Sequence, residues 1–386
     1  MKIVHFNTFP EGGSWEYAKC LNEALGARGH QSQVVTRPGG PGPLGDRLSR
    51  KISLAFTKGA WHGTRRASFP VDQLDLQGAD LVHLHTVADW FDLPRWLTAL
   101  PKRMKVVVSL HDLWHLSGGC FVYDGCEEFS QGCRSCPLLK FPANMLFARD
   151  EFRRKAKAYR NRHVHFIANS SWLEQKARKS QMTSECEISV IPPPVNFLVF
   201  RPLDRSHCRR AFGLGQDQLV VATGCASLTD KNKDTPGLLK ILASVKVPHL
   251  KVIIFGEGKI EVPEGLDVCF TGPINSKDRM AQLYNAADLF VSGSKMETYG
   301  LTFVEAMACG TPVVGHRVGG IPEAVLDGEF ASLCALGDRD AMSGAIASAL
   351  LSNRRVSAEV IERLKARNGS GAVASKLAMV YRAIAG

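Results

Sequence analysis

Short apolar runs alternate with longer amphipathic stretches along the whole 386-residue chain. KIVHF, QSQVVT, DLVHLH, KVVVSL and HVHFIANS read as strands in the first half, and LVVATG, KVIIFG, DVCFTG, ADLFVSG and TPVVG in the second. Between them lie patterns of helical period, such as WEYAKCLNEALGARG. A strand-helix order of this kind predicts an α/β fold with parallel sheets covered by helices on both faces. No self-similarity appears at a period of about 20–50 residues, which argues against a solenoid.

The alternation breaks at VIPPPVNFLVFRP, residues 190–202, where three successive prolines fit neither a helix nor an inner strand. The break predicts two domains, residues 1–192 and 200–371. A closing amphipathic pattern at 372–386 is expected to pack back on the first. Two doubly wound domains facing each other would bring the carboxyl edges of both sheets, where such folds bind ligands, to one interdomain cleft.

The segment KMETYGLTFVEAMACGTPVVG, residues 295–315, carries the first candidate chemistry. It reads as a loop, then a short helix stopped by Gly310 and Pro312. Glu297 falls on the loop at a strand's carboxyl end, and Glu305 about one turn inside the helix. Amides around Tyr299, Gly300, Leu301 and Thr302 form a helix start, where an anion is favoured. An anion cradle flanked by two carboxylates suits a ligand that joins phosphates to hydroxyl-rich groups. A structural alternative pairs Glu305 with a basic side chain and leaves Glu297 solvated.

Further candidates sit at other strand ends. Gly12 and Gly13 follow the first strand, where a ligand or a plain tight turn calls for residues without Cβ. His111 and Asp112 end KVVVSL, whereas His83 and His85 share one face of their strand and read as hydrogen-bonded structural histidines. Lys233, in SLTDKNKDTPGLL, opens a helix pattern and offers a cation to a phosphate-bearing ligand.

Composition adds a charge asymmetry. The formal charge is +11, and residues 1–200 hold 26 Lys and Arg against 18 Asp and Glu. A partner with negative charge is implied, and nucleic acid, anionic lipid and a phosphorylated substrate all qualify. The stretches 47–66 and 149–162 mix basic and aromatic residues, as membrane-surface helices and solvated basic faces both do. No apolar run is long enough to cross a bilayer, and the chain opens on MKIVHF instead of a signal sequence. Cytoplasmic residence is expected, with the inner face of the cell membrane as the site of any lipid contact.

Glu297 and Glu305, separated by seven residues and followed by AMACGTPVVGHRVGGIPEAVLDG, resemble the E-x7-E motif of the retaining nucleotide-sugar glycosyltransferases of family 4. These have the GT-B fold of two facing Rossmann-like domains. EGG, DLVHLH, SLHDLW, IANSSW, VIPPPVNFLVFRP and FTGPI occur in the order that family shows, so the resemblance covers nearly the whole chain. It implies that Glu297 lies beside the donor sugar, that Glu305 bonds the ribose, and that His111 stands next to the transferring sugar. The Gly12–Gly13 loop would close over the donor diphosphate. The family's usual arginine before a Lys-Gly pair is not matched. Ser227 or Asn232 stands where the arginine falls, Asp234 replaces the glycine, and Lys231 is a second candidate cation. Ala331 likewise stands where the family commonly has glycine.

GGCFVYDGCEEFSQGCRSCPLL places Cys120, Cys126, Cys133 and Cys136 just after His111. The Cys-x2-Cys end suits a structural zinc, with free thiols and disulfides as alternatives. The expected activity is transfer of a sugar from a nucleotide donor to a glycan or lipid-linked acceptor, with no catalytic metal. A sugar-nucleotide epimerase and a zinc-containing nucleic-acid-binding protein are the competing readings. The repeated strand-helix order argues against nucleic acid.

Overall fold

A computed structural model describes residues 1–37, 61–64, 76, 78–121, 125–326, 328 and 330–385. The basic stretch 47–66 therefore lies, apart from 61–64, outside the described residues. The chain divides into two compact units, Met1–Pro194 with Val373–Gly386, and Val195–Ala372. The first division falls directly after Pro194, where the three prolines end.

The first unit contains β1 (Lys2–Asn7), α1 (Gly13–Gly26), β2 (Gln31–Thr36), β3 (Leu81–Leu84), α2 (Leu93–Ala99), β4 (Lys105–Leu110), α3 (Ala143–Arg162), β5 (His165–Ala168), α4 (Ser171–Lys179) and β6 (Glu187–Val190). Its parallel sheet runs β2-β1-β3-β4-β5-β6. The two-residue period of each strand builds two cores. Val4, Phe6, Val82, Leu84, Val106 and Val108 face one side, against Trp96, Phe152 and Tyr159. Ile3, Leu81, Val107 and Ile167 face the other, against Tyr17, Leu21 and Leu25 of α1. Val373, Leu377 and Tyr381 of the closing helix (Ser370–Ala385), one turn apart, join that second core.

The second unit contains β7 (Leu219–Ser227), α5 (Arg205–Ala211) before it, then α6 (Thr235–Leu242), β8 (Leu250–Glu257), β9 (Val268–Gly272), α7 (Lys277–Ala286), β10 (Leu289–Val291), α8 (Leu301–Ala308), β11 (Val313–His316), α9 (Ile321–Ala324), β12 (Ala331–Cys334), α10 (Arg339–Ser352) and α11 (Ala358–Asn368). Its sheet order is β12-β11-β10-β7-β8-β9, also parallel. Counted from β7 as the first strand, this is the doubly wound order 3-2-1-4-5-6. Successive crossovers diverge between β7 and β10, so the loops leaving those two strands flank an open crevice at the sheet's carboxyl edge.

Two expectations change here. Sequence pattern does not mark β6 or β12, because both are four-residue edge strands with half-exposed positions. The aromatic residues of 149–162 are not offered to a surface partner. Phe152 and Tyr159 of α3 are buried in the core, and Arg153, Lys157 and Arg160 form a solvated basic face. Among the described residues, no helix is long and apolar enough to cross a membrane.

Candidate active site

The crevice between β7 and β10 brings Lys233 and Glu297 together. Lys233 Nζ donates to Glu297 Oε1, and Ser294 Oγ donates to the same oxygen at 2.9 Å. The two side chains are 31% and 17% exposed, so the pair is open to a ligand without being fully hydrated. Lys233 lies in the loop two residues before α6, which begins at Thr235, and does not itself open the helix.

The two loops are stitched by backbone as well. Asn232 Nδ2 donates to Met296 O at 2.9 Å, Lys295 N donates to Asn232 O at 2.7 Å, and Lys295 pairs with Asp234 at 3.0 Å. Asn232 thus ties the loops and cannot act as a cation, while Lys231 is exposed. Asp234 adopts φ +46°, the left-handed region that glycine enters without cost. Its departure from the family's glycine therefore places a strained residue beside Lys233.

Gly319, Ser294 and His316 also shape the site, and sequence reasoning did not single them out. A Cβ on Gly319 would fall 1.8 Å from Glu297 O, so glycine is required for the Glu297 backbone to seat. His316 Nδ1 donates to Ser294 O at 3.2 Å, holding the turn that carries Ser294. The Gly-Gly pair in GHRVGGIPE was the available signal.

α8 follows directly. Gly300, at φ +103°, is its N-cap, and the first-turn amides of Leu301 and Thr302 have no partner within the helix. Phe303, Val304, Ala306, Met307 and Ala308 are buried, which leaves Leu301, Thr302 and Glu305 as one half-exposed stripe at i, i+1 and i+4. Gly315 of β11 lets the helix sit close, since a Cβ there would meet Phe303 at 2.6 Å. Glu305 neighbours Tyr284 and Cys309. Burial, with the Glu305 charge second, pushes both the Tyr284 phenol and the Cys309 thiol up. Tyr299 is buried, and its hydroxyl bonds the Asn368 side chain, so it supports the loop from below.

In the first unit, crossovers diverge between β1 and β3, and the side chains there form a chain of imidazoles. His5 Nδ1 meets His85 Nε2 at 3.1 Å, and His85 Nδ1 meets His111 Nε2 at 3.0 Å. Each link needs one N–H and one lone pair, so His5 and His85 must share a tautomer. Burial lowers His5 to about 3 and His111 to about 4, so both rings are neutral. His83 is bonded on both nitrogens, to Tyr381 at 2.6 Å and to Ser109 at 2.9 Å, which is the structural role expected of it. Asp112 accepts from Trp114 N at 2.7 Å, and burial pushes its carboxyl up to about 7. Gly12, at φ +85°, caps α1, and nothing lies within 4 Å of a Cβ built on Gly12 or Gly13. Gly12 is thus required by its backbone, whereas Gly13 is not required by space.

Residues 11–197 match the family described as Glycosyltransferase Family 4, and residues 218–352 match Glycosyl transferases group 1. The chain thus carries one region similar to each of these two families. The D-inositol 3-phosphate glycosyltransferase of Mycobacterium marinum is 34% identical over 197 residues, covering 47% of this chain and 41% of the relative. That of Mycobacterium bovis is 38% identical over 155 residues, 36% of this chain and 31% of its own. The matched region is thus less than half the length of these curated relatives. Among solved structures, sucrose-phosphate synthase from Thermosynechococcus elongatus has a TM-score of 0.71 at 19% identity, covering 99% of this chain and 98% of that one. Anabaena HepE in complex with UDP and glucose has a TM-score of 0.65 at 18% identity, over 99% and 100%. At these identities the structures establish the GT-B fold. In this chain the region matching group 1 holds Lys233, Glu297 and Glu305, and the region matching family 4 holds Gly12, Gly13 and His111.

Proposed function

We propose that the protein transfers a sugar from a nucleoside diphosphate sugar to a hydroxyl of a glycan or lipid-linked acceptor, with retention of anomeric configuration. The observation that carries this reading is the Lys233–Glu297 pair beside the α8 N-terminus, at the point where the second sheet's crossovers diverge. One cation and a set of first-turn amides suit a diphosphate, and Glu305 on the same helix face suits the ribose. Complexes of HepE with UDP and with UDP-glucose support a donor of this class.

As the glycosidic bond breaks, negative charge grows on the diphosphate oxygen, where Lys233 and the amides stabilise it. That oxygen accepts the acceptor's proton while Glu297 orients the sugar in a front-face displacement. Positive charge in this scheme comes from Lys233 and the helix dipole, and no step is assigned to a divalent metal. A lipid-linked acceptor is supported by Phe141, Met145, Leu146 and Phe147, large apolar side chains exposed around the start of α3 and followed by Arg149 and Arg153.

The test is a panel of UDP-, GDP-, ADP- and dTDP-sugars. A saturating donor at about 100 times its Kd should add roughly 2.7 kcal/mol of stability. The stabilising donor should release its nucleoside diphosphate only when an acceptor is present, and NMR of the product should show the donor's anomeric configuration. Conversion of the donor without acceptor would mark an epimerase instead.

A further inference from the structure

The four-cysteine segment plays no part in the chemistry above. Cys120, Cys126, Cys133 and Cys136 all line one cavity of about 300 Å3 in the first unit, between the segment after β4 and the start of α3. Burial above all pushes the Cys120, Cys133 and Cys136 thiols up, Cys133 to about 12 and Cys136 to about 11, and the neighbouring thiols add to this: Cys126 at Cys120, Cys120 and Cys136 at Cys133, and Cys120 and Cys126 at Cys136. Four cysteines line this one cavity from within a stretch of 17 residues, a density that packing alone does not call for.

Two features offset the cost of burial when the sulfurs bind a cation as thiolates, and a third fixes the loop. Gly118 N donates to Cys133 Sγ at 3.2 Å, and the amides of Leu138 and Leu139 act on Cys136 in the same way. Backbone N–H groups aimed at sulfur stabilise the anion more than the thiol. The loop is also pressed into place, because a Cβ on Gly118 would fall 2.4 Å from Ala148 O and one on Gly119 2.8 Å from His62 O. Finally, Lys155 is fully buried, donating to Trp114 O at 2.6 Å with Nζ 4.0 Å from that ring's centroid. Its charge is felt at Cys133 and Cys120. The nearby Glu151 is already bonded by Thr64 and Arg154. Glu151 is the first charge to act on Lys155, and thiolates at Cys133 and Cys120 would add to it as counter-charge.

We propose that Cys120, Cys126, Cys133 and Cys136 bind one thiophilic divalent cation of the zinc class as four thiolates, with Lys155 as their buried counter-ion. Uptake releases four thiol protons. Tetrahedral Zn–S bonds of about 2.3 Å place sulfurs about 3.8 Å apart. Among the described residues, three ligand atoms lie within 4.8 Å of one another only at His5, His83 and His85. The cysteine side chains must therefore turn inward on metal uptake. The histidine trio is the poorer site, because both ring nitrogens of His83 and of His85 are already hydrogen-bonded. A closed four-thiolate site leaves no position for water, so the ion is structural. It fixes the 113–121 segment, joined by the Leu113 N to Phe121 O bond of 3.1 Å, directly after His111 and Asp112.

The full chain, purified without a metal-affinity step, should contain one zinc per chain by elemental analysis. Cobalt exchanged into it should show the ligand-field bands of a tetrahedral thiolate site. An organomercurial should release the metal in step with four of the eleven thiols. Cys133→Ser with Cys136→Ser should lose the metal, while Cys20→Ser, whose thiol is buried on α1, should keep it. Lys155→Met should weaken metal affinity roughly tenfold or more, the scale of a lost supporting group. Metal-free wild-type protein with four freely reacting thiols would overturn the proposal. So would iron with acid-labile sulfide, or a disulfide among the four in the protein as isolated. Because wild-type metal content decides, a variant that fails to fold does not.

Discussion

Lys233 Nζ donates to Glu297 Oε1 across 64 residues of chain, so the cation and the carboxylate expected to serve different parts of the donor are each other's partners. Neither group is then left as an isolated charge before a ligand arrives. On the proposed reading, an entering diphosphate would offer Lys233 a second anion and free Glu297 to accept from the sugar.

Removing either partner should separate binding from turnover. Glu297→Gln should keep the fold and most nucleotide affinity but lose about 100-fold or more in transfer rate, as one positioned electrostatic group does. Lys233→Ala should both slow transfer and weaken binding of the free nucleoside diphosphate. Steady-state kinetics with calorimetry of the diphosphate check both. Unchanged values for Lys233→Ala would place the clamp elsewhere.

Glu305→Ala should raise the donor KM and leave the rate at saturating donor nearly unchanged, because a ribose contact is made before and during bond cleavage. A mutant altered only at saturation would contradict the ribose role.

Asp234 holds φ +46° at the N-cap of α6. Asp234→Gly should therefore be neutral or stabilising by up to about 1 kcal/mol, and Asp234→Ala destabilising by about 1 kcal/mol. The exposed pair with Lys295 adds little to either figure. Chemical denaturation of the two variants measures the difference, and equal stabilities would show that the backbone is not the cause.

His5 and His115 are buried neutral rings lowered to about 3, whereas in the unfolded chain each titrates near 6.5. Below pH 6.5 the unfolded state binds protons that the native state does not. Stability is thus full above 6.5 and falls as pH drops toward 3, by roughly 1.4 kcal/mol per pH unit for each such histidine. Asp112, raised to about 7, opposes one of them, since between about 4 and 7 the native carboxyl holds its proton longer than the unfolded one. Denaturant unfolding at pH 7 and pH 5 should show the loss, and His115→Gln should shrink it. A flat profile would exclude these rings as the source.

Phe141 and Leu146 are 77% and 61% exposed at the start of the basic α3. Replacing both by Ser should reduce sedimentation with anionic phospholipid vesicles and leave donor binding intact. Equal sedimentation of variant and wild type would remove this surface from the lipid-linked reading.

Much of this was written in local pattern. Apolar runs such as KVVVSL and KVIIFG become strands because alternate residues must be buried on two faces, and the α8 stop at Gly310 follows from its left-handed φ of +83°. Glu297 at a strand's end and Glu305 one turn into a helix were likewise legible from spacing alone. Strand order was not, and it decides the site. Only the divergence of crossovers between β7 and β10 brings Lys233 to Glu297, and only the odd-numbered face of the first sheet lines up His5, His85 and His111. Those partners are 26 to 80 residues apart in the chain, too far for helical or strand periodicity to register. Local sequence sets which way each side chain points, but which side chains then meet depends on long-range hydrogen bonding between strands. That pairing is a property of the folded sheet and of no single segment in it.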